Sequence, residues 1–108
     1  MRFFGLKSCD TCRKALKTLS GRDVEVIDVR ADGVSATDRA AMIAAFGDAA
    51  INTRSTTWRN LSDDERALGT AALLAAHPTL MKRPVIEIDG AWVQGWTPST
   101  KAALGLEK

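Results

Sequence analysis

The chain has 108 residues, of which 45% are hydrophobic and 26% are charged, a composition typical of a soluble globular protein that forms one domain over residues 1–108. A formal net charge of +2 excludes a dedicated nucleic-acid-binding protein, in which basic residues are strongly in excess. No apolar run approaches the roughly 18 residues of a membrane-spanning helix. Residues 1–4 indicate the start of a strand rather than a signal peptide, so we expect a cytoplasmic protein without membrane contact.

The first part of the chain predicts a strand, a helix and a second strand. Residues 2–6 form a short apolar run typical of a buried strand. Residues 10–20 then repeat apolar side chains at the spacing of one helix face, and residues 24–29 alternate as a second strand does. This spacing is typical of a βαβ unit, whose two strands run parallel with a right-handed crossover.

The middle of the chain predicts several helices. Ser35 and Ser62 are each followed three residues later by an acidic residue, which is the pattern of a capping box. Thr70 is the predicted cap of a last short helix that ends before His77. Residues 51–61 show no clear period, and we predict a loop with one helical turn there.

The last third predicts a hairpin and a closing helix. Residues 85–88 and 91–94 are apolar strands joined by Asp89-Gly90, a pair that suits a type I′ turn. Thr97-Pro98 then has the pattern of an N-cap and a first helical position. The complete order, βαβ…ββα with a helical insert, predicts an α/β protein with a thioredoxin-like fold.

A C-x-x-C pair, Cys9 and Cys12, stands where the first strand gives way to the first helix. At a helix start, free backbone N–H groups and the helix dipole favour a thiolate. Lys7 and Arg13 add positive charge nearby, whereas Asp10 opposes it. We therefore interpret Cys9 as the attacking thiol and Cys12, one turn deeper, as a candidate resolving thiol.

Two other interpretations of the cysteines stay open. A structural zinc site normally needs four ligands, and only two cysteines and His77 are available, so we expect no metal site. Cys12 also shares the phase of the apolar helix face, so it is alternatively a small core residue. In a cytoplasmic protein a close cysteine pair is more often catalytic or redox-sensing than a structural disulfide.

Four segments together resemble the arsenate reductase ArsC/Spx family, and in particular its small YffB-type members, over nearly the whole chain. They are CDTCRKAL (9–16), INTRS (51–55), HPTLMKRPVIE (77–87) and VQGW (93–96). The resemblance implies a thioredoxin-like fold with a helical insert and a catalytic cysteine at the position of Cys9.

The resemblance also implies two pocket arginines, Arg54 in a loop and Arg83 before a cis-proline at Pro84. Guanidinium groups neutralise an oxyanion or a glutathione mixed disulfide by planar, bidentate hydrogen bonds. Pro84 is expected beside the cysteine loop, where it leaves a backbone edge for a peptide-like thiol. With Lys7 and Arg13 it is a predicted substrate-binding residue.

The chain departs from arsenate reductases proper, because residues 94–97 contain no arginine at the place of their third pocket cation. Of the two expected substrate classes for the Cys9 thiolate, an oxyanion or a glutathione-type thiol, the second is therefore favoured. We expect a thiol oxidoreductase with glutathione as co-substrate, glutaredoxin as a candidate partner, no tightly bound cofactor and a monomeric state. The alternative is a redox-sensing regulator, similar to Spx, that binds RNA polymerase and uses the C-x-x-C pair as a redox switch. A family member that binds an anion without turnover is a third interpretation.

Overall fold

The computed structural model describes residues 1–105, and within them the chain forms four β-strands and six α-helices. In chain order these are β1 (Arg2–Gly5), α1 (Asp10–Thr18), β2 (Glu25–Asp28), α2 (Ala36–Phe46), α3 (Thr56–Arg59), α4 (Asp63–Arg66), α5 (Thr70–Ala76), β3 (Val85–Ile88), β4 (Ala91–Gln94) and α6 (Pro98–Ala103). Short 3-10 turns at Gly47–Ala50 and Pro78–Leu80 follow α2 and α5. The predicted order, βαβ…ββα with a helical insert, is confirmed.

The strands pair in the order β2-β1-β3-β4. β1 and β2 are parallel, as predicted for the βαβ unit, whereas β1 with β3 and β3 with β4 are antiparallel. Gly5 at the end of β1 pairs with Asp28 at the end of β2, and Phe4 pairs with Val85 at the start of β3. The loops after β1 and β2 and the loop before β3 therefore meet at one end of the sheet.

Apolar side chains of β1 form a core on each face of the sheet. Successive strand residues point to opposite faces, and Phe3 and Phe4 are both buried. Phe4 packs in a core with Met42 of the helical insert, whereas Phe3 packs in a second core with Cys12 of α1. Cys9 contacts both cores, so the start of α1 is anchored where the two layers meet.

The local signals at most helix starts and at the hairpin turn are confirmed. Ser62 forms the complete capping box of α4, and Ser35 caps α2 through its side-chain oxygen. Thr97 caps α6, with proline at the next position. Asp89 and Gly90 have φ values of 50° and 83°, and a type I′ turn requires positive φ at both positions.

The cap predicted at Thr70 is wrong. Gly69 is the N-cap of α5, with a φ of 90° that glycine adopts readily. Thr70 is the first helical residue, and its hydroxyl donates to Oδ1 of Asp48 at 2.7 Å. α1 also ends at Thr18, two residues earlier than the predicted helix over 10–20. Among the described helices, none has both the length and the apolar character required to cross a membrane.

Candidate active site

Cys9 lies at the N-terminus of α1, directly after the loop that follows β1. Its N–H donates to the Leu6 carbonyl at 3.1 Å, and its own carbonyl accepts the N–H of Arg13 at 3.0 Å. Cys9 is therefore the N-cap residue of α1. The unpaired N–H groups of the first turn and the helix dipole favour a negative charge at this position.

Burial and two neighbouring side chains determine the pKa of the Cys9 thiol. The largest single influence, partial burial, raises this pKa because the thiolate loses solvation. The backbone N–H and thiol of Cys12, together with the guanidinium of Arg83, outweigh that effect and hold the pKa of Cys9 below its ordinary value. The thiolate, which is the nucleophilic form of cysteine, is therefore favoured at Cys9.

Cys12 lies one turn further along α1, with 1% of its surface exposed. Burial, together with the adjacent charge of Cys9, raises the pKa of Cys12 to about 11. Cys12 therefore keeps its proton at neutral pH and can donate it in a hydrogen bond to the Cys9 sulfur. Gly5 makes room for this thiol, because a Cβ at position 5 would lie 2.8 Å from Sγ of Cys12.

Cys9 opens onto a cavity of about 350 Å³ at the end of the sheet where the three loops meet. Arg54 and Arg83, the arginines implied by the family resemblance, line the same cavity. Serine and threonine hydroxyls supply further polar lining, and among the described residues no carboxylate lines it. The structure thus places a thiolate-forming cysteine and two of the predicted arginines around one positively charged space.

Arg83 is held beside Cys9 by the segment before β3. Its Nη1 donates to the Thr79 carbonyl at 2.6 Å, and its buried Nε has no hydrogen-bond partner among the described residues. The Arg83–Pro84 peptide bond is cis, as the resemblance implied. Pro84 itself is fully buried and its carbonyl accepts the N–H of Gly95 at 2.8 Å. Pro84 therefore supports the backbone that presents Arg83 and is not among the described residues lining the cavity.

Arg54 lies in a tight turn between the first 3-10 turn and α3. Oδ1 of Asn52 accepts the N–H of Arg54 at 3.0 Å, and Ser55 then caps α3 by accepting the N–H of Trp58. Both interactions are local, which explains why the INTRS segment forms this turn. They hold the backbone of Arg54 while its exposed side chain lines the cavity.

The structure does not bring Lys7 and Arg13 into the cavity of Cys9. Both line a separate cavity of about 460 Å³ on the β2 side of α1. Arg13 forms an ion pair with Asp10, the acidic residue of the first helical turn. The two cavities share only Leu6 among their described lining residues.

The structure adds one residue, Arg30, that the sequence analysis did not single out. Arg30 follows β2 and lines the cavity of Cys9 with the two other arginines. A signal for it exists in the sequence, because the loops after two adjacent parallel strands lie at the same end of a sheet. The prediction that β1 and β2 are parallel therefore already places Arg30 and Cys9 close together.

A family model described as the ArsC family matches residues 4–103 of this chain. The chain belongs to the ArsC family. A protein of Haemophilus influenzae, described as uncharacterized, is 39% identical over 100 residues, which cover 86% of this chain and 88% of that protein. The ArsC family assignment confirms the resemblance carried by the four sequence segments.

Two solved structures related to the ArsC family have the same fold over most of their length. The YffB (PA3664) protein superposes with a TM-score of 0.85 at 29% identity, covering 94% of this chain and 96% of that chain. An arsenate reductase (ArsC) related protein from Brucella melitensis superposes with a TM-score of 0.72 at 31% identity, covering 94% of this chain and 91% of that chain. The predicted thioredoxin-like fold is thereby confirmed.

Proposed function

We propose that this ArsC family protein is a cytoplasmic thiol oxidoreductase in which the Cys9 thiolate attacks the substrate and glutathione is the co-substrate. The observation that carries the proposal is a single cavity lined by Cys9, Arg54 and Arg83. A thiolate becomes a useful nucleophile when its pKa is lowered and its negatively charged target is neutralised. Both conditions are supported by the helix start at Cys9 and by the guanidinium groups.

A glutathione mixed disulfide is the substrate class that we favour. The cavity volume of 350 Å³ falls at the lower end of the roughly 300–1,000 Å³ typical of pockets for small organic ligands. Guanidinium groups bind the carboxylates of such a tripeptide by bidentate hydrogen bonds. Arsenate is the competing substrate, since the Brucella melitensis relative is described as related to arsenate reductase.

The proposed reaction proceeds through one mixed disulfide on the protein. The Cys9 thiolate attacks the glutathione sulfur of the substrate, a Cys9–glutathione disulfide forms, and the substrate thiol leaves as a thiolate that takes a proton from solvent. A second glutathione, as its thiolate, then attacks the glutathione sulfur of this adduct. Glutathione disulfide forms and the Cys9 thiolate is released. The substrate mixed disulfide and one free glutathione thus give the substrate thiol and glutathione disulfide, whose other glutathione comes from the substrate.

Cys12 supports Cys9 in this proposal and does not resolve the adduct. Burial is the largest cause that raises the pKa of Cys12, and burial persists when Cys9 carries glutathione, although the charge of Cys9 is then gone. The rate of thiol–disulfide exchange depends on the thiolate fraction, so free glutathione is the more effective resolving thiol. The protonated Cys12 instead donates to the Cys9 sulfur and stabilises its negative charge.

The pH dependence of Cys9 alkylation by iodoacetamide tests the activated thiol. The apparent pKa is expected below the value of about 8.5 of a free cysteine, and Arg83→Ala is expected to raise it. Arg59→Ala, which removes an exposed arginine outside the cavity, is the matched control and is expected to change nothing. An apparent pKa near 8.5 that is unaffected by Arg83→Ala would contradict the proposal.

A substrate panel tests the reaction and the resolving thiol. Wild type, Cys9→Ser and Cys12→Ser are compared with a glutathionylated peptide, arsenate and a neutral disulfide, each with glutathione as reductant. Cys9→Ser is expected to abolish turnover, whereas Cys12→Ser is expected to retain it. Loss of turnover in a folded Cys12→Ser variant would assign the resolving step to Cys12. Turnover of arsenate and of neither disulfide would replace the glutathione mixed disulfide as the proposed substrate.

A further inference from the structure

The topology places a third arginine, Arg30, in the lining of the cavity of Cys9. β1 and β2 end side by side, with Gly5 paired to Asp28, so the loops that carry Cys9 and Arg30 leave the sheet at the same end. The cavity lining includes Arg30, Arg54 and Cys9 from three different loops. The cavity therefore has a third arginine, which comes from the loop after β2 and not from residues 94–97.

The backbone that carries Arg30 is fixed by its own turn. Oδ1 of Asp28 accepts the N–H groups of both Arg30 and Ala31 at 2.9 Å, and Oδ2 of Asp32 accepts the N–H of Asp28 at 3.0 Å. Val29, the residue between Asp28 and Arg30, is fully buried. The backbone at Arg30 is thus held in place. Less conformational entropy is therefore lost when its guanidinium binds a ligand.

The charges around Arg30 are arranged so that its guanidinium is available to a ligand. Asp28 and Asp32 line the separate cavity that contains Lys7, and no carboxylate lines the Cys9 cavity among residues 1–105. Within the same residues the Arg30 side chain takes part in no ion pair. The three guanidiniums of the cavity are therefore not neutralised by the described part of the protein.

Resting on the function proposed above, we infer that Arg30 determines substrate specificity by binding a carboxylate of a tripeptide thiol such as glutathione. Arg83 is the guanidinium that interacts with the Cys9 sulfur. Arg30 and Arg54 then remain for charges on the ligand, and glutathione carries two carboxylates. This division of roles also accounts for a cavity that is larger than a single tetrahedral oxyanion requires.

Binding of a non-reactive analogue tests Arg30 without requiring turnover. S-methylglutathione is used to protect Cys9 from iodoacetamide in wild type, Arg30→Gln, Arg30→Lys and the control Arg59→Gln. Arg30→Gln is expected to weaken protection by roughly 10- to 100-fold, the range for loss of a charge-assisted bidentate contact. Arg30→Lys is expected to recover part of it, and Arg59→Gln to match wild type. Equal protection in Arg30→Gln and wild type would overturn the inference.

Steady-state kinetics separate this inference from the proposed function. With a glutathionylated peptide, Arg30→Gln is expected to raise KM by a similar factor while kcat changes little. With a neutral disulfide, and dithiothreitol in place of glutathione as reductant, it is expected to match wild type. Protection that depends on Arg30 in a protein without turnover would support the role of Arg30 and contradict the oxidoreductase proposal. Protection by inorganic arsenate that is weakened in Arg30→Gln as strongly as that by S-methylglutathione would overturn the carboxylate assignment.

Discussion

Replacing Gly5 by alanine tests the tight packing that positions the two thiols. The added Cβ would lie 2.8 Å from Sγ of Cys12 and 2.9 Å from Cε1 of Phe3, both well inside van der Waals contact. Cys12 is 1% exposed and Phe3 is fully buried, so neither side chain can move into solvent. We therefore expect Gly5→Ala to force α1 away from the end of β1.

The expected cost follows from the behaviour of overpacked cores. Inserting a methyl group into a well-packed interior typically costs about 1–3 kcal/mol of unfolding free energy. In a domain of this size each kcal/mol lowers Tm by roughly 4–8 °C, so Gly5→Ala is expected to unfold roughly 4–24 °C below wild type. Urea denaturation monitored by circular dichroism measures the free energy directly.

A double-mutant cycle with Cys12→Ala identifies the clashing atom. Removing Sγ eliminates the 2.8 Å contact and leaves the contacts with Phe3 and with Cβ of residue 12. Gly5→Ala is therefore expected to cost less in the Cys12→Ala background, with a coupling energy of about 0.5–3 kcal/mol between the two sites. Identical costs in both backgrounds, or a Gly5→Ala variant within about 0.5 kcal/mol of wild type, would refute the packing described here.

Two further predictions concern stability. The pKa of Cys12 is raised from 9.0 to about 11, so the stability that this protonated thiol contributes is complete below pH 9 and is lost as the pH rises through 11. Unfolding free energies of wild type are expected to fall across this range more steeply than those of Cys12→Ala, and parallel curves would contradict the raised pKa. Arg2 binds Glu87 and Asp38 at 2.7 and 2.8 Å and so links β1 to β3 and α2. Arg2→Met is expected to lower the unfolding free energy by about 1–3 kcal/mol, whereas a change no larger than that of the exposed Arg59→Met would refute this link.

The order of the elements could be predicted because its signals are local. The turn at Asp89-Gly90 and the capping box at Ser62 each depend on residues within a few positions of one another. Thr70 shows the limit of this reasoning, since a threonine before an apolar run also fits the first helical position. Its hydroxyl partner, Asp48, is distant in sequence and could not be inferred from the pattern alone.

The cysteines were predicted from their place at a helix start and Arg54 and Arg83 from family motifs, whereas nearness in sequence did not predict the other cations of the cavity. Lys7 and Arg13 flank Cys9 in the chain, yet they line a separate cavity. Arg30 is distant in the chain and lines the cavity of Cys9. The difference follows from the parallel pairing of β1 with β2, which brings the residues after both strands together whatever their separation along the chain.

The two cysteines of the C-x-x-C pair acquire different roles from their depth in the fold. Their close sulfurs interact, and the first proton leaves Cys9, because Cys12 and Arg83 hold the pKa of Cys9 below its ordinary value. Gly5 and Phe3 hold Cys12 in the core, where it keeps its proton and acts as a donor. Once Cys9 is ionised, the pair carries a single negative charge that Arg83 balances, and Arg30 and Arg54 are left for the substrate proposed above. This charge balance supports the proposal of an anionic substrate that approaches a reduced thiol pair.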